Sequence, residues 1–373
     1  MNFKNYDVAL IKTEILANQL TDNGMDALLV TSEVGRRYLT GFHSTAGYVL
    51  ITKEKTYFVV DNRYLKAAEK ALKPKGIEVV LGADYSFLTR LAEEKGYKTV
   101  AIDYGVVTLA GFEALKALGF AYTDASAEIR DLMSVKTEEE IKYIKKACDI
   151  AEKAWLDTLP FIKEGVTERQ VANELEYNFK KRGASGTSFD TIVAFGKNAA
   201  VPHHETGDTK LKYGECVLMD FGCIYKGYCS DMTRTMFYGE PTESFKKAYL
   251  AVLTAHMKAA EGIKEGMTGK EADGIARDVL SSLGYGKYFT HSLGHGIGVN
   301  IHEYPYLSPK GEAALKNNMV FSNEPGVYLD GKFGIRIEDS CHLENGKYKT
   351  FMKDDKSLTI LGGDEIKREK LYK

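Results

Sequence analysis

An α/β domain over residues 1–130, joined to a larger and internally duplicated α+β domain over residues 131–373, is the architecture this sequence predicts. Three observations carry that expectation. Strand-like and helical runs alternate at the start of the chain, a helix-start signal interrupts them near residue 131, and the remainder aligns with itself. A length of 373 residues accommodates two domains at roughly 150 residues each, the second being large.

In the first domain the apolar runs DALLVTS, YVLITKEKTYFVVD, IEVVLG and KTVAID read as strands, and RYLKAAEKALK and SFLTRLAEEKG between them carry apolar residues at helical spacing. Alternation of this kind predicts an α/β layer structure. At its end, in DLMSVKTEEEIKYIKKA, Thr137 with Glu140 three residues later forms a capping box. Ile141, Ile144, Ala147, Cys148 and Ala151 then follow with a helical period.

The second domain contains a repeat. Residues 144–183 align without a gap, at a shift of 101, on residues 245–284: Lys-Lys-Ala, Ile-Lys-Glu-Gly-x-Thr and a closing Gly coincide. In both copies the Thr, Thr167 or Thr268, has Gln170 or Glu271 three residues on, so each starts a capped helix, and Gly183 or Gly284 stands where that helix stops. The unit is a helix pair used twice. The strands after each pair continue the match, residues 211–222 lying on 315–326, which sets Asp220 on Glu324; a few residues later SDMT lies on IEDS, which sets Asp231 on Glu338.

Composition excludes several function classes. With 44% hydrophobic and 27% charged residues and a formal net charge of -2, the chain has neither the basic excess of a nucleic-acid binder nor an acidic tail for a cationic partner. The N-terminal MNFKNYDVALIKTEILANQL mixes charges with apolar residues at helical spacing, unlike a signal peptide or membrane span, and predicts a cytoplasmic protein without membrane association. Five cysteines, Cys148, Cys216, Cys223, Cys229 and Cys341, are an odd number with no C-x-x-C pair, so free thiols are expected rather than a disulfide framework or structural zinc.

The four matched acids need an explanation. In MDFGCIYKGYCSDMTRT, either Tyr225-Lys226 or Lys226-Gly227 closes a two-residue hairpin loop, and both registers leave Asp220 and Asp231 on one strand face. Like charges at that range repel, and a buried unpaired carboxylate costs several kcal/mol or takes up a proton. A cation is required between them. Between the halves lies HSLGHGIGVNIHE, whose glycines favour a strand or loop over a helix for His291, His295 and His302. Four carboxylates with one or two imidazoles exceed what one divalent ion neutralises; two ions bridged about 3.5 to 4 Å apart meet the need, and an oxygen-rich, thiolate-free set suits Mn²⁺, Co²⁺ or Fe²⁺ at least as well as Zn²⁺. Salt bridges to Arg234, Arg336 and Lys226 are the alternative account of the same acids.

The ordered residues Asp220, Asp231 in SDMTRT, His295 in GHGIGVNIHE, Glu324 in NEPGVY and Glu338 in GIRIED resemble the five-ligand dimetal site of the methionine aminopeptidase, prolidase and aminopeptidase P superfamily, whose catalytic half has the duplicated pita-bread fold. The N-terminal RRYLTGFHSTAGYVLIT and VDNRYL resemble the smaller, creatinase-like domain of the Xaa-Pro peptidases, so the resemblance covers nearly the whole chain. It implies a hydrolase of the peptide bond between an N-terminal residue and proline, acting on short peptides with proline second, with two divalent ions (Mn²⁺ foremost) and a homodimeric assembly. By the same resemblance Asp220, Asp231 and Glu338 hold one ion, while Asp231, His295, Glu324 and Glu338 hold the other. Glu324 moves the proton of the attacking water, and His291 and His302 stabilise the oxyanion and contact the proline side. His203 in AAVPHHET matches the family's loop histidine and Arg336 a family arginine beside the ligand Glu; His204 departs from the usual residue there, leaving open which of the pair points inward.

Two other classes compete. A non-catalytic pita-bread binding protein would have lost ligands, and a metal-free amidinohydrolase like creatinase would lack these acids, whereas all five positions stand. Within the peptidase reading, the Gly-Phe-x-Ser-x-x-Gly stretch at 41–47 resembles that of short bacterial aminopeptidase P proteins, which implies an aminopeptidase P rather than an Xaa-Pro dipeptidase (prolidase).

Overall fold

The computed structural model describes residues 8–363 and 365–372, which divide into two compact units, Met1–Met133 and Ser134–Lys373. No helix among the described residues is long and apolar enough to cross a membrane, and no disulfide forms among them.

The first unit is a six-stranded sheet with helices between its strands. Its spatial order is Glu78–Leu81, Thr56–Val60, Tyr48–Thr52, Ala27–Val30, Thr99–Ile102, Ala121–Asp124. The run YVLITKEKTYFVVD is two strands rather than one: Tyr48–Thr52 turns back on Thr56–Val60 in an antiparallel hairpin. Polar Lys53, Glu54 and Lys55 interrupt the apolar pattern there, and the Thr52 backbone N–H closes the turn on Lys55 O. Ala27–Val30 and Tyr48–Thr52 are buried along their whole length, as predominantly apolar strands at a sheet centre should be.

The second unit is built from the two helix pairs. Glu138–Thr158 and Glu168–Lys181 form one, Glu243–Gly262 and Gly269–Ser282 the other. Capping boxes at Thr137/Glu140, Thr167/Gln170 and Thr268/Glu271 start three of these helices. Gly183 and Gly284 follow the second helix of each pair with φ of 95° and 81°, the left-handed conformation that glycine reaches without a Cβ clash. The periodic residues Ile144, Ala147, Cys148 and Ala151 are fully buried, and Phe245, Val252 and Leu280 of the second pair pack with Phe321, Ile335 and Ile337 into one core. Burying a side chain of that size contributes about 1.5–3 kcal/mol.

Those helices accompany a ten-stranded sheet, five of whose strands carry the site. Glu215–Phe221 pairs antiparallel with Met232–Tyr238, which pairs with Glu338–Glu344, then Val320–Asn323, then Gly294–Gly296. The hairpin loop is Lys226-Gly227, since Tyr225 pairs with Tyr228, and Asp220 therefore faces Thr233 directly while Asp231 lies diagonal to it. Lys226 at φ 51° and Gly227 at 85° are the two left-handed residues a type I′ turn requires, which Gly in second place makes cheap. In the duplicate, GIRIED breaks between Phe333–Arg336 and Glu338–Glu344, so Arg336 belongs to a separate two-stranded sheet with Gly326–Leu329.

Candidate active site

The four acids and the imidazole stand at neighbouring strand ends. Asp220 is the penultimate residue of Glu215–Phe221, Asp231 precedes Met232–Tyr238, Glu338 opens its strand, Glu324 follows Val320–Asn323, and His295 is the middle of Gly294–Gly296. Glu338 faces Thr233 across the central strand pair, so the two halves of the repeat meet at the ligands. One donor atom each of Asp231, His295 and Glu338 lies within 4.8 Å of the others. All five residues, with His203, His291, His302 and Arg336, line one cavity of about 470 Å³.

Second contacts orient these groups. His295 Nδ1 donates to Gly296 O at 3.1 Å, which leaves Nε2 as a lone pair, and that lone pair faces Glu324 Oε1 at 3.3 Å and Asp231 Oδ2 at 3.5 Å. The Thr233 hydroxyl donates to Glu338 Oε2 at 2.6 Å and the Ser322 hydroxyl to Glu324 Oε1 at 3.0 Å. Arg336 donates to Asp220 Oδ2 at 2.6 Å, to Tyr328 Oη at 2.6 Å and to Thr233 Oγ1 at 3.1 Å. The salt-bridge alternative is thus realised for one oxygen of one acid. Arg234 is occupied elsewhere, between Asp339 and Asp354.

What remains fits a cation. Asp220 Oδ1, Asp231 Oδ1 and Glu338 Oε1 are buried without a hydrogen-bond partner among the described residues. The lone pair of an imidazole and several carboxylates converge, with Arg336, Thr233 and Ser322 donating to only some of their oxygens, an arrangement that is costly unless protons are taken up or a positive ion fills it. Burial first, and then the charges of neighbouring carboxylates, pushes Asp231 and Glu338 well above the usual carboxylate range and Glu324 up to about 8. Burial likewise holds His295 near 4 and His291 near 3, both neutral at neutral pH.

A pH dependence follows for protein stripped of metal. Above about pH 7.5 the depressed histidines are neutral both folded and unfolded, while the raised Glu324 keeps a proton in the folded chain that the unfolded chain has released. A raised folded pKa gives stability that is lost as pH rises through it, so the chelated protein is expected to melt at falling temperature from about pH 7.5 to about 9. Calorimetric scans across that window check this, and excess divalent metal should remove the slope.

The histidines differ in availability. His203 is exposed on the cavity side, whereas His204 Nε2 lies 2.9 Å from Glu168 Oε2, so His203 is the inward member of the pair. His302 stacks edge-on against His295, ring centroids 4.3 Å apart. His291 has both ring nitrogens engaged: Nδ1 donates to Ser292 O at 2.8 Å, and Nε2 accepts from Tyr328 Oη at 2.9 Å. In this arrangement it holds Tyr328, and the oxyanion role that the resemblance implied requires the Tyr328 contact to open and a proton to stand on Nε2. Tyr328, Thr233 and Ser322 are site residues that the sequence reading missed. Strand alternation could have found two of them, since Thr233 lies two residues after Asp231 and Ser322 two before Glu324.

A duplicated α+β scaffold that converges carboxylates and an imidazole on a cavity defines a cation-dependent catalytic centre. Residues 142–345 match the family model of metallopeptidase family M24, and residues 13–135 that of the creatinase/prolidase N-terminal domain. An Xaa-Pro dipeptidase from Pyrococcus horikoshii is 37% identical over 360 residues, covering 94% of this chain and 99% of that protein. Among solved structures, an Xaa-Pro dipeptidase from Bacillus anthracis superposes with a TM-score of 0.91 at 39% identity, covering 95% of this chain and 100% of the other. An X-Pro aminopeptidase from Thermotoga maritima does so with a TM-score of 0.88 at 34% identity, over 94% and 99%. The chain belongs to metallopeptidase family M24, with the pita-bread catalytic fold and a creatinase-type N-terminal domain, and divalent metal ions are the cofactors that membership implies.

Proposed function

We propose that this protein hydrolyses Xaa-Pro dipeptides, with Asp220, Asp231, His295, Glu324 and Glu338 holding two divalent ions. The observation that carries the reading is the convergence of these five side chains, with unsatisfied carboxylate oxygens, in the cavity that His203 and His302 also face. The names of its relatives favour the dipeptidase over the aminopeptidase P that the sequence suggested. The oxygen-rich, thiolate-free donor set supports Mn²⁺, with Co²⁺, Fe²⁺ and Zn²⁺ as competitors.

When bound, the ions supply Lewis acidity and a water acidic enough to attack near neutral pH. Glu324 takes the proton of the attacking water on the carboxylate oxygen that Ser322 leaves free and delivers it to the departing proline nitrogen. Burial keeps His302 neutral, and its ring N–H is the donor for the developing oxyanion. His203 contacts the proline side. Arg336 holds Asp220 and Tyr328 and donates to Pro202 O at 3.4 Å, fixing the cavity wall beside His203.

The test is metal-dependent release of the N-terminal residue from an Xaa-Pro dipeptide and from an Xaa-Pro-Yaa tripeptide. Cleavage of the dipeptide alone is expected. Efficient cleavage of the tripeptide would restore the aminopeptidase P reading, and cleavage of neither by metal-loaded protein would leave a binding protein.

A further inference from the structure

Glu168 is a fully buried carboxylate outside the metal centre, at the first position of Glu168–Lys181. Its Oε1 accepts from Phe195 N at 2.9 Å and Asn198 Nδ2 at 2.8 Å; its Oε2 accepts from His204 Nε2 at 2.9 Å and Gly207 N at 3.1 Å. All four acceptor sites of the carboxylate are used. The donors come from both ends and the middle of the stretch 195–207, which carries Pro202 and His203 into the cavity wall. The same helix end closes further on that stretch, with Glu168 N donating to Thr209 O at 3.1 Å and Arg169 N to Gly207 O at 2.9 Å. On the cavity side Arg336 reaches Pro202 O.

A carboxylate cannot donate, so His204 Nε2 carries the proton of its bond to Glu168. Its neighbour His203 is thereby turned to the opposite side, toward the cavity. We infer that Glu168, with His204 as its imidazole partner, is the positioning device that fixes where His203 stands in the site; this rests on the proposed peptidase reading. Loss of one anchor lets the stretch shift by a fraction of the distance that separates a productive from an unproductive contact, and misplacements of about 1 Å cost on the order of a hundredfold in rate.

The test is a mutant cycle on metal-loaded protein with an Xaa-Pro dipeptide. His204→Ala is expected to lower kcat/KM about tenfold with bound metal unchanged, and His204→Gln, whose amide N–H also donates to Glu168, should recover most of it. In a His203→Ala background, His204→Ala should cost nothing further. An equal loss in both backgrounds would overturn the inference, because His204 would then act independently of His203. Hydrogen exchange of the Phe195 and Gly207 amides supplies a readout without activity. Exchange at least about tenfold faster in Glu168→Gln and His204→Ala supports the device, and unchanged protection overturns it. Should the parent protein cleave no Xaa-Pro substrate, the peptidase reading fails while the exchange result still decides this one.

Discussion

Asp231→Asn is expected to abolish metal-dependent hydrolysis, lowering kcat/KM by about 10³-fold or more, and to lower the bound metal in the same preparations. Asp231, like Glu338, is a carboxylate that both proposed ions share, and its backbone is fixed independently of its side chain: Asp231 N donates to Ser340 Oγ at 3.0 Å and Ser340 Oγ donates to Asp231 O at 2.7 Å. An asparagine thus keeps the fold and loses the charge. With metal removed from both proteins, the variant should be at least as stable as the parent, because Asp231 is buried among the charges of Glu338, Asp220 and Glu324. Metal analysis together with thermal melts in chelator reads both halves. Unchanged metal content in an inactive variant would remove Asp231 from the ligand set.

The largest stability effect is expected at Arg234, not at a ligand. This guanidinium is 2% exposed and donates to Asp354 Oδ2 at 2.7 Å, Asp339 Oδ1 at 2.9 Å, Thr233 O at 2.9 Å and Glu338 O at 2.7 Å. Arg234→Met leaves Asp339 and Asp354 buried with one fewer counter-charge and two carbonyls without their donor. Breaking a buried pair from one side costs about 3–5 kcal/mol, which urea unfolding measures directly. Because Thr233 and Glu338 belong to the strand pair that carries the ligands, weaker metal binding should accompany the loss. Combining Arg234→Met with Asp339→Asn should recover part of the stability, since one stranded charge is then removed. A variant within about 0.5 kcal/mol of the parent would show that Lys356, 2.8 Å from Asp339 Oδ2, and Arg368, paired with Asp354, suffice without Arg234.

Much of this site was legible because its signals are local. A capping box occupies four consecutive residues, and the coincidence of two such boxes with closing glycines makes the duplication visible in the sequence. Once the halves were aligned, Asp220 with Glu324 and Asp231 with Glu338 followed from strand alternation and the cost of burying like charges. The preference for Gly in the second place of a type I′ turn could also have chosen Lys226-Gly227 as the hairpin loop. The strand break at Ile337 was not legible, because GIRIEDS alternates throughout, and the switch of Arg336 into a separate two-stranded sheet depends on its pairing with Gly326.

By itself, then, the sequence determined the order of strands and capped helices, the repeat and the carboxylates that need a cation, since each depends on residues within a few positions of one another or on a fixed shift between copies. Only the tertiary structure decided which histidines have free nitrogens. His291 is occupied by Tyr328, His204 by Glu168, and Asp220 is half-satisfied by Arg336, through hydrogen bonds between residues 37, 36 and 116 positions apart. Such bonds are a few ångströms long and strongly directional, so packing sets them and no local propensity encodes them.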